Sequence, residues 1–322
     1  MSVAAILENI KIRFGEPETA LGIDATGLQL NLASPHLGGP RDEVLLESGK
    51  VGRESGESFQ LLCGGDTVAG VAVVDCERGE IESAAKVLYD ELLGQTAGLN
   101  LYRLWNFVPR INEDSYGQEN YQCFNSGRWK AFAEVYGKVE MNSRLPAASA
   151  VGLDEERDRL AVVFVAGKRP VQYFENPRQT PAYQYPREFG PCSPSFARGS
   201  VVEGSGGRVG YLSGTSSICG YKTVGLGDLE KQFAETVANI GEALTQMGFA
   251  GWPGQVEGYS SQFRVYVRDA ADYADIRQWF GELVGEQVIG QTVFIQADIC
   301  RKPLKLEIEG VFREHPVGGV GV

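Results

Sequence analysis

The chain has 322 residues, 43% hydrophobic and 22% charged, which is enough apolar material for one large domain or two of medium size. Its formal net charge of -12 argues against nucleic acid or an anionic membrane as partner, because either would select a basic face. With two histidines, His36 and His315, and six scattered cysteines (Cys63, Cys76, Cys123, Cys192, Cys219 and Cys300), none in a C-x-x-C pair, a tetrahedral zinc site and histidine-centred catalysis are both disfavoured. The cysteines are expected to be reduced, and no organic cofactor or metal is expected. Acid and base work falls to Glu, Asp, Tyr, Cys or Lys. No apolar run approaches the roughly 18 residues of a membrane span, and Met1 to Phe14 lack the order of a secretory signal, so the expected compartment is the cytoplasm.

Taken in chain order, Phe59 to Val74 reads as two apolar strands around a Gly-Gly-Asp turn. Apolar residues then recur at three and four (Ile81, Ala84, Leu88, Leu92), predicting a helix stopped at Gly94. A strand follows at Asn100 to Val108, a helix at Arg128 to Tyr136, and strands at Ala147 to Gly152 and Leu160 to Ala166. The stretch Gly167 to Arg208, rich in Pro, Tyr, Arg and Ser, is long for a structureless connection unless it is functional.

The same order of elements then recurs. Val209 to Gly225 reads as a second strand pair, with Ser213-Gly214-Thr215 at its turn, while Gly204 to Gly210 (GSGGRVG) lacks dinucleotide spacing and predicts a hairpin turn. The helix of Leu229, Phe233, Val237, Ile240, Leu244 and Met247 stops at Gly248. A strand at Gln262 to Val267, a helix at Tyr273 to Val284, and strands at Gln291 to Ile299 and Leu304 to Phe312 complete the copy, and Val317 to Val322 reads as a frayed tail. A repeated supersecondary unit decides a fold more firmly than local propensity does. The expectation is an α+β chain of two β-β-α-β-α-β-β modules, each a mixed sheet with helices on one face, packed as a pseudo-duplicated unit. The boundaries are 1–167, a connecting segment 168–208 lining the site, and 209–322.

The second copy resembles the RidA-like (YjgF) family in L-S-G-T at 212 to 215, D-x-x-x-Q at Asp228 to Gln232, N-I-x-x-x-L at Asn239 to Leu244, V-Y-V-R-D at 265 to 269 and L-E-I-E-G at 306 to 310. The whole chain resembles the chorismatase family. The motifs that carry this are Y-R-L-W-N-F-V-P-R-I-N at Tyr102 to Asn112, F-N-S-G-R at Phe124 to Arg128, E-N-P-R-Q-T-P-A-Y-Q-Y-P at Glu175 to Pro186, S-P-S-F-A-R at Ser193 to Arg198, S-G-T-S-S-I at Ser213 to Ile218, and C-R-K-P-L-K-L-E-I-E-G at Cys300 to Gly310. This resemblance implies an enzyme of secondary metabolism that splits chorismate into pyruvate and a ring product. It acts as a monomer, with a homo-trimer like that of single-module relatives as the alternative.

It also makes Glu307 the catalytic acid. Strand alternation puts Lys305, Glu307 and Glu309 on one face, leaving Glu309 as the alternative one repeat away. Cleavage of the enol ether needs a proton at its terminal methylene carbon, and a buried Glu with raised pKa holds such a proton near neutral pH. A cysteine at Cys300 resembles the type that makes 3-hydroxybenzoate. Ser216 stands where the family tunes the product and departs from the expected small Gly or Ala, which keeps 4-hydroxybenzoate and the hydrolytic 3,4-dihydroxycyclohexa-1,5-diene carboxylate as alternatives. Chorismate has two carboxylates, which guanidinium forks match. The candidates are Arg128, Arg178 and Arg198, with Tyr183, Tyr185 and Tyr211 as hydroxyl donors and ring walls. More distant readings are an imine deaminase, although the Arg such proteins place before the Glu is missing from 292–299, and a non-catalytic binder of a small acid.

Overall fold

The computed structural model describes residues 8–48, 52–204, 207–249, 251–255 and 258–314. His315 and the tail Val317 to Val322 lie outside them. Before the first repeat come β1 (Glu8–Phe14), β2 (Ala20–Asp24), β3 (Gly27–Leu32), β4 (His36–Gly38), β5 (Asp42–Ser48) and β6 (Gly52–Ser55), none of which the sequence reading above predicted. The signal was present: Ile10, Ile12 and Phe14, then Leu28, Leu30 and Leu32, alternate with polar or small residues at the period of a half-buried strand, and all six are buried.

The first copy comprises β7 (Gln60–Gly64), β8 (Thr67–Asp75), α1 (Ile81–Gln95), β9 (Asn100–Pro109), α2 (Asn120–Tyr136), β10 (Ala147–Leu153) and β11 (Arg159–Gly167). There follow β12 (Val171–Phe174), β13 (Gly199–Gly204), β14 (Gly207–Thr215), β15 (Ile218–Cys219), β16 (Lys222–Thr223), α3 (Leu229–Gln246), β17 (Tyr259–Val267), α4 (Tyr273–Val284), α5 (Glu286–Gln291), β18 (Val293–Gln296) and β19 (Leu306–Glu314). Both copies run β-β-α-β-α-β-β, once β13 and β14 are taken as the second opening hairpin.

That is a correction to the element order read from the sequence. β13 pairs antiparallel with β14 from Gly199↔Leu212 to Gly204↔Gly207, residues 205–206 of the expected hairpin turn lie outside the described residues, and Ser213-Gly214-Thr215 lies at the end of a strand. The pairing of β14 with β19 shifts register between Leu212 and Thr215. A bulge of this kind takes the same small-residue signature as a turn, which is why the pattern misled. Two further differences are smaller. Helix α2 begins at Asn120, and the strand expected over Gln291 to Ile299 is split between the end of α5 and the short β18.

The strands form a sheet β10-β9-β11-β8-β7-β6, a sheet β12-β13-β14-β19-β17-β18-β4 and an N-terminal sheet β2-β3-β1-β5. In the two larger sheets β9 and β10 run parallel, as do β17 and β18, while the other pairs are antiparallel. Each carries its helices on one face: Leu88, Leu92, Phe124 and Phe132 pack on Leu104 and Phe164, and Ile240, Leu244, Ile276 and Phe280 pack on Phe263 and Ile308. The opposite faces meet in one common core, where Trp105, Phe107 and Val163 of the first sheet join Tyr211, Tyr266 and Val311 of the second. The N-terminal sheet closes the third side with Ile12, Phe14 and Leu30. Burial of these side chains contributes about 1.5–3 kcal/mol each before ordering costs. Among the described residues no helix is long and apolar enough to cross a membrane.

Candidate active site

A cavity of about 360 Å³ opens where β10, β14, β19 and α2 approach one another, roofed by residues 185–198. Glu307, Cys300, Ser216, Arg128, Arg198 and Tyr185, all predicted from the sequence, line it. Alternation along β19 turns Leu306 and Ile308 to the helices and Glu307 and Glu309 to the other sheet, as the sequence pattern requires. Each carboxylate is only 3% exposed, yet their surroundings differ.

Glu309 is fully paired. Its Oε2 accepts from Arg103 at 2.6 Å and its Oε1 from the Trp105 indole at 3.0 Å, with Arg264 at 2.8 Å from Oε1. Arg264 also donates to Glu43 at 2.8 Å, completing a buried set of two carboxylates and two guanidiniums that balances its own charge. Glu307 has no such partner. Its Oε2 lies 3.5 Å from the Ser216 hydroxyl and 3.9 Å from the Cys300 thiol, and the Ser216 hydroxyl donates at 2.8 Å to the Leu306 carbonyl instead. Burial, reinforced by the negative charge of Glu309, pushes the Glu307 carboxyl up to about 8; Arg103, Ser216 and Arg198 pull the other way without reversing it. Of the two β19 carboxyls Glu307 is the one without an ion-pair partner among the described residues, and its raised pKa favours the protonated form near neutrality.

The loops around it are braced by buried polar groups. Asn239 on α3 donates to the carbonyls of Ser216 at 3.1 Å and Ile218 at 2.9 Å, and Gln232 one helical stretch earlier ties Pro303 and Lys305. Arg268 donates to the carbonyls of Ile299, Arg301 and Leu304, fixing the turn that connects Cys300 to β19. A Cβ at Gly214 would sit 2.0 Å from Glu307 Oε1, so the glycine leaves the room in which the Glu307 carboxyl lies. Burial pushes the Cys300 thiol up to about 12, with Glu307 adding to the effect, so the group is a neutral thiol at physiological pH.

Three guanidiniums reach the cavity without a carboxylate partner among the described residues. Arg128, 1% exposed, donates to Asn125 at 2.9 Å. It reaches the site because Gly127 lets α2 approach α1: a Cβ at that position would meet the Glu82 carbonyl at 2.2 Å. Arg198 donates to the Tyr185 hydroxyl at 2.8 Å and to the Thr180 carbonyl at 2.9 Å. Arg301 stacks 4.1 Å from the Phe189 ring and 5.1 Å from that of Tyr185. Arg301, half-buried, also donates to the Tyr221 carbonyl at 2.8 Å, and cations without carboxylate partners suit a ligand with carboxylates.

Three predicted binding residues lie elsewhere. Arg178 donates to Asn239 at 2.9 Å and pairs with Glu235 at 2.7 Å, so it braces α3 rather than facing the cavity. Tyr183 packs among the first copy's helix-side core, and Tyr211 opens into a different cavity. Proximity in the motif E-N-P-R-Q-T-P-A-Y-Q-Y-P did not reveal which side chains turn inward, because that segment has no regular period from which to read a face. Conversely Glu119, Tyr121, Ser149, Phe189, Phe196, Arg301 and Lys302 line the cavity and were not singled out. Arg301 and Lys302 had a usable signal, adjacent cations in the turn after Cys300; Phe189 had none. Among the described residues no three His, Cys, Asp or Glu side chains are grouped as metal ligands would be.

Comparison with known proteins agrees with this geometry. A family model described as Chorismatase FkbO/Hyg5-like, N-terminal, matches residues 43–166. A 3-hydroxybenzoate synthase of Streptomyces hygroscopicus is 34% identical over 243 residues, 72% of this chain and 69% of that protein. A chorismatase of Streptomyces rapamycinicus is 29% identical over 257 residues, 76% and 74% of the two chains. A crystal structure of a chorismatase superposes with a TM-score of 0.83 at 25% identity, covering 96% of this chain and 94% of that one. The sequence identity and the shared whole-chain fold together establish that this chain belongs to the chorismatase family.

Proposed function

We propose that the protein converts chorismate to 3-hydroxybenzoate and pyruvate, acting in the cytoplasm as a single chain whose two modules build the whole cavity. The observation that carries this is one buried carboxyl with its pKa pushed up to about 8, set in a cavity into which three unpaired guanidiniums project. Glu307 donates its proton to the terminal methylene carbon of the enolpyruvyl group, and its carboxylate then stabilises the oxocarbenium ion so formed. Arg128, Arg198 and Arg301 hold the two carboxylates, and Tyr185 and Phe189 wall the ring. Because 3-hydroxybenzoate and pyruvate together contain the atoms of chorismate, no net water enters. An arene-oxide-like intermediate that rearomatises accounts for the ring product. The neutral Cys300 thiol, 3.9 Å from Glu307 Oε2, supports this over hydrolysis, since it sets a weak donor rather than a water-activating base beside the acid.

The test is chromatography of chorismate after incubation with the purified protein. Pyruvate and 3-hydroxybenzoate in equal amounts are expected. Only 4-hydroxybenzoate, or only the diene-diol, would overturn the product assignment, and unconsumed chorismate would overturn the activity.

A further inference from the structure

A second and larger cavity, of about 790 Å³, lies at the other end of the crevice where the three sheets meet. Its floor is one face of the second sheet. Cross-strand pairing sets Tyr211 opposite Val311, Val209 opposite Arg313, and Gln262 opposite Val311 from the other side, so Tyr211 on β14, Arg313 on β19 and Gln262 on β17 project from the same face of three adjacent strands. Among the described residues none of these three side chains has a hydrogen-bond or ion-pair partner, although Tyr211 is only 8% exposed. Their polar atoms line the cavity, so a ligand entering it meets donors that no other side chain of the described residues occupies. The walls are apolar, with Val44 and Leu45 from the N-terminal sheet, Val165 from the first module and Val202 from the second. Among the described residues the one carboxylate in the lining, Asp66, is already paired with Arg169, so the described lining carries an excess positive charge in a chain of formal net charge -12.

We propose that this cavity is a second binding site, for a small monocarboxylate with an apolar body about the size of a benzene ring. Arg313 and the Tyr211 hydroxyl take the carboxylate, Gln262 supplies a further amide donor, and the valines enclose the body. The site is built from β14 and β19, the strands that carry Gly214 and Glu307 at the other cavity, with the Glu309 ion-pair set between the two.

The probe is 3-fluorobenzoate, observed by fluorine NMR with the whole chain. A bound resonance is expected that weakens roughly tenfold or more in affinity in Arg313→Gln, as loss of a charge-assisted pair implies, and that is also reduced in Gln262→Leu. Arg198→Gln should leave that resonance in place while removing any bound signal belonging to the first cavity. Thermal midpoints close to that of the parent chain verify that the variants fold, and Val202→Trp, which fills the cavity, provides a variant that leaves the polar groups intact. No binding at millimolar probe, or a bound resonance that survives Arg313→Gln, Gln262→Leu and Val202→Trp but is lost in Arg198→Gln, overturns the proposal. The outcome does not depend on which reaction the first cavity performs.

Discussion

The last strand of each copy occupies the same place in its sheet, but the two strands do different work. Inward positions on β11 are Ala161, Val163 and Val165, all buried in the common core. On β19 the inward positions are Glu307, Glu309, Val311 and Arg313: among the described residues, an acid without an ion-pair partner, a paired one, an apolar spacer and a cation without an ion-pair partner. The helices differ in the same way. Helix α1 buries Ile81, Ala85, Leu88, Tyr89, Leu92 and Leu93, whereas α3 buries Gln232, Thr236 and Asn239 beside Ile240, Ala243 and Leu244, and its Gln232 and Asn239 hold the loops around the cavity by their carbonyls. One copy thus presents an apolar inward strand and the other a strand of charged groups that reaches both cavities. The first copy still contributes Arg128, Ser149 and the Arg103 that neutralises Glu309.

The sharpest way to break this comparison is Glu307→Gln. Turnover of chorismate should fall by roughly 10²–10⁴-fold while the thermal midpoint is preserved or raised, measured by pyruvate release and calorimetry. A raised carboxyl pKa also has a defined sign. The folded state binds the proton more tightly than the unfolded one, so the contribution of Glu307 to stability is complete below its ordinary value of 4.5 and is lost as pH rises towards about 8. The midpoint of the parent should therefore fall relative to Glu307→Gln across that window, and kcat/KM should decline through pH 8 as the acid is lost. An equal response to pH in both chains would remove the proton from Glu307.

Glu309→Gln should act on the fold instead, because it leaves Arg103 and Arg264 with Glu43 as their remaining carboxylate. A loss of about 3–5 kcal/mol in denaturant unfolding is expected for breaking a buried pair. If Glu309→Gln were stable and inactive while Glu307→Gln kept full activity, the roles of the two carboxyls would be exchanged. Smaller again is Gly214→Ala, whose Cβ must displace the Glu307 carboxyl. Activity should drop by about 10²-fold with little change in the midpoint, as expected for a misplaced acid. The mildest change is Asn239→Leu, which abandons the carbonyls of Ser216 and Ile218. It should cost about 1–3 kcal/mol of stability, and the equivalent loss should not be found on α1, where Leu88→Met is expected to be nearly neutral.

Much of this was legible before the fold was known. The three- and four-residue spacing found α1 and α3, and α4 runs over Tyr273–Val284 as the sequence pattern predicted. The motifs that resemble the chorismatase family named Glu307, Cys300, Ser216, Arg128, Arg198 and Tyr185, all of which line one cavity. The misses have physical causes. A bulge near Gly214 carries the small residues of a turn, and the irregular segment around Arg178 and Tyr183 has no period that would reveal its inward side.

What the sequence by itself determined was local and periodic: the order of strands and helices, their repetition, and the fact that Glu307 and Glu309 share one face of β19. Which of those two carboxyls is paired with guanidiniums was decided only by the tertiary structure. Ion pairing depends on what the fold brings within reach, and the guanidinium that meets Glu309 arrives from Arg103, 206 residues away along the chain, on the sheet of the other copy.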